Sequence, residues 1–188
     1  MKQIFFSIVG LLLVSCNQSR KLTESEITHY LTLGDSIATQ AQKVLLMNVS
    51  AKMKEGGAVR AVDFCSEKAV FLTDSLSNKH HIQRVSNKNR NPNNAISSEL
   101  DKKAWDEIST LMGDSSKEKH LILQEGNEVY YYKAIPLGMP TCLACHGNPQ
   151  AEITPEALQI ISQKYPNDKA TNYKMGELRG LWKIKINE

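Results

Sequence analysis

Two thiols and an imidazole occur within five consecutive residues, Cys142-Leu143-Ala144-Cys145-His146. This C-x-x-C-H spacing is typical of the attachment site of a c-type haem, in which both cysteines bond to the haem vinyl groups and the histidine binds the iron. With four Cys and five His in 188 residues, chance would place such a run about 0.002 times. The motif therefore predicts one covalently attached haem c, and the fold must leave room for its macrocycle.

Other interpretations of these cysteines are a redox-active C-x-x-C pair and half of a zinc site. Tetrahedral zinc usually takes a second C-x-x-C or an H-x₃₋₅-H run, and the sequence has neither. The adjacent His80 and His81 invite a metal interpretation as well. Neighbouring residues on a strand point to opposite faces, however, which favours two solvated residues over a pair of ligands.

The N-terminus is typical of a lipoprotein signal. Lys2 is followed by an apolar stretch over residues 4–14 that is too short to span a bilayer, and Leu13-Val14-Ser15-Cys16 has the small-residue pattern of a lipobox. We expect a signal peptide over residues 1–15 and a lipidated Cys16 with a tether over residues 16–22. An ordinary cleaved signal or a marginal anchor helix is the alternative. In either case the chain is exported, and the lipobox predicts a membrane-anchored lipoprotein facing the periplasm or the cell exterior.

The remainder, residues 23–188, fits one domain, because it shows no internal repeat and no second block of different composition. Without the signal peptide the chain has 22 Lys and Arg against 20 Asp and Glu, which is nearly neutral. A near-neutral chain without Lys/Arg runs gives no indication of nucleic-acid binding. The expected contacts are instead the membrane, through the lipid, and an unidentified redox or signalling protein.

The first half of the domain is predicted to be helical. Thr23 and Glu26 have capping-box spacing, and apolar residues recur at helical intervals over residues 27–53. Gly56-Gly57 should end this helix, and a second helix is expected over residues 58–76 with Cys65 on its apolar side. Further along, helices are predicted over residues 98–113 and 154–164.

Strands are predicted over residues 79–86, 120–124, 129–135 and 181–186, the middle two forming an antiparallel hairpin. Because Tyr130, Tyr131 and Tyr132 precede the C-x-x-C-H run, one face of the hairpin could shield the macrocycle, although aromatic residues in strands need no such purpose. Helices first and then strands interrupted by helices predict an α+β domain.

Four runs of the sequence resemble a known family, the PAS-like c-type haem domains that occur alone and as the sensing heads of histidine kinases. These runs are residues 61–65 (AVDFC), 84–92 (RVSNKNRNP), 142–147 (CLACHG) and 170–180 (ATNYKMGELRG). The resemblance implies a PAS-like antiparallel sheet with an N-terminal helical extension and a covalent haem held between them. One departure is Asn172, where the family pattern leads us to expect Gly; Asn tolerates a positive φ, so the turn should survive.

The remaining thiol, Cys65, is an odd cysteine in an exported chain once Cys16 takes lipid and two others take haem. It is either an inert buried thiol or an iron ligand. The resemblance implies the second axial ligand opposite His146, because Cys65 falls where those domains are associated with His/thiolate ligation. Met53, Met139 and His120 are the competing ligands.

We also expect Arg84 or Arg90 to pair with a haem propionate, since a guanidinium binds a carboxylate through two hydrogen bonds. Both could equally be solvated loop cations. Together the features predict a non-enzymatic monohaem protein for redox sensing or electron transfer. A gas or small-ligand sensor acting through a partner receptor is the alternative, and a peroxidase-type enzyme is the least favoured. No kinase follows residue 188 in the sequence, so direct signalling to one within this chain is not expected.

Overall fold

A computed structural model describes residues 20–69 and 79–187 and has a mixed α+β architecture. Within these residues, one long helix comes first, and a four-stranded antiparallel sheet with three further α-helices follows. The elements are α1 Glu24–Glu67, β1 His81–Val85, α2 Glu99–Leu111, β2 His120–Glu125, β3 Glu128–Pro136, α3 Leu143–His146, α4 Pro155–Lys164 and β4 Leu178–Ile186. The predicted fold class is therefore confirmed.

Helix α1 begins as the capping box predicts. The Thr23 hydroxyl accepts from the Glu26 backbone amide at 3.3 Å, and the Glu26 carboxylate accepts from the Thr23 amide at 2.9 Å. Gly56 and Gly57 leave helical geometry, with a φ of 66° at Gly57. The expected break is therefore confirmed, and so is the second helical segment that begins directly after it; the two segments together form the kinked element α1. The predicted end of the second helix, near residue 76, lies outside the described residues, as does Cys16.

The sheet has the strand order β1-β4-β3-β2, so the C-terminal strand lies in its middle. Strands β2 and β3 form the predicted hairpin, with a turn at Gly126, where φ is 59°. Helix α1 covers one face, where Ala38 and Ala41 pack with Tyr131 and Trp182. Helix α2 packs on the opposite face. Two buried faces explain why these strands contain consecutive apolar residues.

Helix α2 is tied to the sheet through Asp101, which is 1% exposed. Its carboxylate accepts from the Tyr132 hydroxyl at 2.7 Å and pairs with Lys183 Nζ at 2.7 Å. Burial opposes ionisation of this carboxyl, but the hydrogen bonds from Lys183 and Tyr132 hold the pKa of Asp101 below its usual value. The ion pair is therefore formed at neutral pH and couples α2 to β3 and β4.

The helix ends follow local sequence signals. Ser98 caps α2 by accepting from the Asp101 amide at 3.0 Å, and Thr154 caps α4 by accepting from the Ala157 amide at 3.3 Å. Within the described parts of the chain, no helix has both the length and the apolar composition needed to cross a membrane.

Candidate functional site

The two cysteines and the histidine of the motif lie on one tight turn of chain. A 3₁₀ turn, Pro140–Cys142, leads directly into α3, which ends at His146. Gly147 ends the turn: a Cβ there would lie 2.3 Å from a Glu152 carboxylate oxygen and 2.7 Å from the Leu143 carbonyl oxygen, so a side chain does not fit. Cys142 and Cys145 are three residues apart on a helical backbone and therefore face the same side.

His146 is oriented by a backbone hydrogen bond. Its Nδ1 lies 2.8 Å from the carbonyl oxygen of Ala170, and because a carbonyl only accepts, Nδ1 carries the proton. The lone pair is consequently on Nε2, the atom that an axial ligand offers to a metal. Burial, together with the charges of Arg179 and Arg90, lowers the pKa of His146 well below its usual value. The imidazole is neutral at neutral pH and can coordinate a metal.

The segment after α4 folds back onto the motif. Asn172 adopts a φ of 59° and is the only non-glycine residue with a positive φ in the described chain, which confirms the expectation for this position. Its amide donates to the Gly147 carbonyl at 2.8 Å, and the next amide, of Tyr173, donates to the His146 carbonyl at 3.0 Å. The Tyr173 ring stands edge-on to the imidazole, with centroids 6.3 Å apart. This turn therefore fixes both the position and the surroundings of His146.

Arg90 and Asp168 form a buried ion pair behind the motif. Arg90 Nε and Nη2 donate to the two Asp168 carboxylate oxygens at 3.1 and 3.0 Å, and both side chains are 9% exposed. Arg90 Nη2 also donates to the carbonyls of Cys145 at 2.6 Å and Ala170 at 3.3 Å, while Asp168 accepts from the Ala170 amide at 2.9 Å. The pair thus holds both the motif and the carbonyl that orients His146. Because these hydrogen bonds occupy Nε and Nη2, Arg90 would have to contact a haem propionate through Nη1.

Two further arginines lie near the imidazole. The charges of Arg84 and Arg179 both lower the pKa of His146, in addition to the charge of Arg90. Arg84 is on β1 opposite Trp182. Arg179, at the start of β4, was not among the predicted site residues. Its Nη1 donates to the Ser86 hydroxyl at 3.1 Å and to the Lys88 carbonyl at 3.3 Å. Three positively charged guanidinium groups near one imidazole favour binding of an anionic group. A haem with two ionised propionates is such a group.

The structure brings Cys65 close to the motif from a distant part of the sequence. Helix α1 packs beyond its kink against α4, where Val62 joins a cluster that Cys145 contacts. Burial raises the pKa of the Cys145 thiol to about 11, with further contributions from Cys65 and Cys142 against the charge of Arg90. Burial also raises the pKa of Cys65, opposed by the same three arginines that act on His146. Both thiols are accordingly protonated in the haem-free protein at neutral pH.

The competing ligand His120 lies in a different network. On β2, its Nδ1 is 3.1 Å from the Tyr131 hydroxyl, which donates to Asp35 at 3.0 Å, and Lys133 pairs with the same carboxylate at 2.7 Å. Met139 precedes the motif and is 38% exposed. Cys65 is the candidate that shares the electrostatic surroundings of His146.

The tyrosine run does not shield the motif. Tyr131 and Tyr132 are fully buried on opposite faces of the sheet, in the clusters that α1 and α2 cover. The interpretation of a haem-facing tyrosine run is therefore wrong, because strand alternation sends these rings into the two cores. The aromatic ring beside His146 belongs to Tyr173. This residue lies in the family-like run over residues 170–180, but the sequence alone indicated no role for it.

His80 and His81 lie at the start of β1, where His80 Nδ1 accepts from the Asn187 amide at 3.2 Å. Over residues 20–69 and 79–187, no three His, Cys, Asp or Glu side chains come together to hold a metal ion. Two surface cavities, of about 470 and 410 Å³, are lined by other residues than Cys142, Cys145 and His146.

The fold and the site define an α+β protein with a C-x-x-C-H turn packed against α1, α4 and the segment that leads into β4. Residues 12–187 match the sequence model of the Tll0287-like family, and the chain belongs to that family. This finding confirms the resemblance to PAS-like c-type haem domains. The fold is similar to the crystal structure of the cyanobacterial heme-protein Tll0287, with a TM-score of 0.58 and 22% identity over 85% of this chain and 96% of that one. No curated protein matches the chain.

Proposed function

We propose that this protein holds one haem c covalently on Cys142 and Cys145, with His146 as an axial ligand, and that it acts in redox sensing or electron transfer. The observation that carries the proposal is the hydrogen bond from His146 Nδ1 to the Ala170 carbonyl, 2.8 Å long, on a turn that also carries both thiols. It leaves Nε2 available to iron. The structural relative described as a heme-protein supports the same cofactor.

The bound haem would supply a one-electron couple at the iron. Each residue of the chain then has a distinct task. Cys142 and Cys145 fix the ring through thioether bonds, and the ion pair of Arg90 with Asp168 keeps the turn in place. Ala170 sets the tautomer of His146. We propose a non-enzymatic role, because these residues bind and orient the cofactor and none of them is an acid–base group for a substrate.

Cys65 is the proposed second axial ligand. Its support is the shared electrostatic field of Arg84, Arg90 and Arg179, which acts on both Cys65 and His146. Thiolate donation favours ferric iron, so the midpoint potential should lie well below that of His/Met cytochromes. Replacing Cys65 by serine should raise the potential and change the ferric absorption spectrum, whereas Cys145 variants should change haem attachment first. A Cys65→Ser spectrum and potential identical to wild type would assign the ligand elsewhere, with Met53 as the next residue to replace.

A second candidate function is sensing of a diatomic ligand through a partner receptor. It is favoured because Cys65 is on α1, separate from the turn that carries Cys142 and His146, so a small molecule could replace it without disturbing haem attachment. Spectra of the reduced protein with and without carbon monoxide separate the two functions. An unchanged spectrum indicates closed iron and electron transfer, and a shifted Soret band indicates an open position and ligand sensing.

We further propose that the protein is exported and anchored through lipid on Cys16, facing the periplasm or the cell exterior. The lipobox supports this localisation. Replacing Cys16 by alanine should move the protein from the membrane fraction to the soluble exported fraction. Unchanged membrane partition of Cys16→Ala, with a Cys65→Ser control processed alongside, would refute lipid anchoring. The proposed partners are the membrane and an unidentified redox or signalling protein, without nucleic acid.

A further inference from the structure

Arg179 has a buried donor that the described protein leaves unsatisfied. Its Nε is shielded from solvent and has no hydrogen-bond partner among residues 20–69 and 79–187. One of the other two guanidinium nitrogens is held in place, because Nη1 donates to the Ser86 hydroxyl at 3.1 Å and to the Lys88 carbonyl at 3.3 Å. Buried polar groups are almost always paired, and a charged donor without a partner costs free energy. An acceptor that completes this site would remove that cost.

The position of Arg179 relates it to the motif through one aromatic ring. Its guanidinium carbon lies 5.6 Å from the centroid of Tyr173, and the same ring stands edge-on to His146 at 6.3 Å. Lys88 also lies over the Tyr173 ring, with its Nζ 4.2 Å from the ring centroid. The unsatisfied donor is therefore in the immediate surroundings of the proposed axial histidine.

The charges around Arg179 favour an added anion. The nearby carboxylate, Asp168, is already bound by both nitrogens of Arg90. Within the described chain, Arg179 itself makes no ion pair, and its Nη1 donates only to a hydroxyl and a carbonyl. Burial lowers the pKa of Arg179 to about 10, with further lowering by Arg90 and Arg84, so the guanidinium is still charged at neutral pH. Because Arg179 is a cation near other cations, a carboxylate is the acceptor that would stabilise it most.

We propose that Arg179 donates its Nε–H to a propionate of the haem held by Cys142, Cys145 and His146. The inference rests on the proposed function, since it needs the haem. It goes beyond the expectation for Arg84 and Arg90, because Arg179 has the buried donor that lacks a hydrogen-bond partner. Arg90 instead binds Asp168 and holds the motif in place. A haem carries its propionates on the edge opposite its vinyl groups. The thioether bonds would thus hold one edge and Arg179 the other.

The test compares haem-loaded Arg179→Gln and Arg179→Lys with wild type and with Arg60→Gln, which removes the same charge from an exposed position of α1. Two quantities are measured: the midpoint potential, and the propionate bending vibration in the resonance Raman spectrum. Losing a cation next to the haem favours the ferric state, so Arg179→Gln should lower the potential by at least a tenfold change in the ferric/ferrous ratio, which is about 59 mV for one electron. Arg179→Lys should keep most of the potential but shift the vibration, because an ammonium lacks the planar fork.

Several outcomes would overturn the inference. One is that either Arg179 variant loads full covalent haem and retains the wild-type potential and propionate vibration. Another is a wild-type potential that changes with added phosphate, which would assign the Nε–H to a free anion. If Arg179→Gln does not fold, the vibration of Arg179→Lys decides alone. Wild-type protein without covalent haem would instead contradict the proposed function, so the two failures are distinguishable.

Discussion

Replacing Asp168 by asparagine should destabilise the protein strongly and disturb the surroundings of His146. In the folded chain the Asp168 carboxylate binds Arg90 Nε and Nη2 at 3.1 and 3.0 Å, and both side chains are 9% exposed. Asparagine has nearly the same shape but no charge. The variant therefore leaves the Arg90 cation buried without its counter-charge, next to the carbonyls of Cys145 and Ala170.

The expected loss follows from the burial of this pair. Removing one partner of a buried ion pair costs about 3–5 kcal/mol, because the remaining charge stays desolvated. Arg90 keeps its hydrogen bonds to two carbonyls, and the asparagine oxygen still accepts one hydrogen bond, so we expect the lower end, about 3 kcal/mol. For a domain of this size that corresponds to a melting temperature lower by roughly 6–12 °C.

The assay is urea unfolding of the haem-loaded protein followed by circular dichroism, and the control is Glu99→Gln. Glu99 pairs with Lys102 at 2.5 Å, but these side chains are 87% and 57% exposed, so its loss should cost less than about 1 kcal/mol. The double variant Asp168→Asn/Arg90→Gln should cost clearly less than the sum of the single variants. Additive costs, or a loss for Asp168→Asn no larger than that of the control, would refute the role of the pair.

Three further predictions concern single residues of the fold. Asn172→Gly should be almost neutral, whereas Asn172→Val should cost about 1–2 kcal/mol, because φ is 59° and a β-branched residue is strained there. The pKa of Asp101 is lowered in the folded state, so the stability difference between wild type and Asp101→Asn should be largest above pH 5 and shrink as the pH falls below about 4. Gly34→Ala should cost about 1–3 kcal/mol, since its Cβ would lie 2.2 Å from the Tyr131 ring.

All three are measured by urea unfolding, and each has its own contradicting result. Equal stabilities of the glycine and valine variants at position 172 would remove the argument from the positive φ. A stability difference for Asp101→Asn that does not change between pH 6 and pH 3 would contradict the lowered pKa. For Gly34→Ala the control is Gly113→Ala, whose Cβ meets nothing nearer than a backbone oxygen at 3.9 Å. Similar costs at both glycines would show that the close approach of α1 to Tyr131 is relieved without strain.

Features with local signals could be predicted from the sequence. The capping box at Thr23 and the cap at Ser98 set the starts of α1 and α2 through hydrogen bonds that span three residues. The C-x-x-C-H turn and the positive φ at Asn172 are equally local. Gly56-Gly57 likewise indicated the break in α1 and the start of a second helical segment after it, which packs against α4.

Contacts between distant positions could not be predicted in the same way. Arg90 and Asp168 are 78 residues apart, and Arg179 and Ser86 are 93 apart, so no spacing in the chain indicates that they meet. The sequence indicated Arg90 as a candidate partner of a haem propionate. Only the folded arrangement identifies its partner as Asp168. Arg179 lies in the distinctive run over residues 170–180, yet its open donor becomes evident only from the burial of Nε.

The most direct test of the central claim is haem attachment in the exported protein. After acid-acetone extraction and denaturing electrophoresis, wild type should retain haem on the polypeptide, and so should Cys65→Ser, because Cys65 is proposed to bind iron without a thioether bond. The double variant Cys142→Ser/Cys145→Ser should retain none. Covalent haem on the double variant, or its absence from wild type made by cells with an active cytochrome c maturation system, would contradict the account.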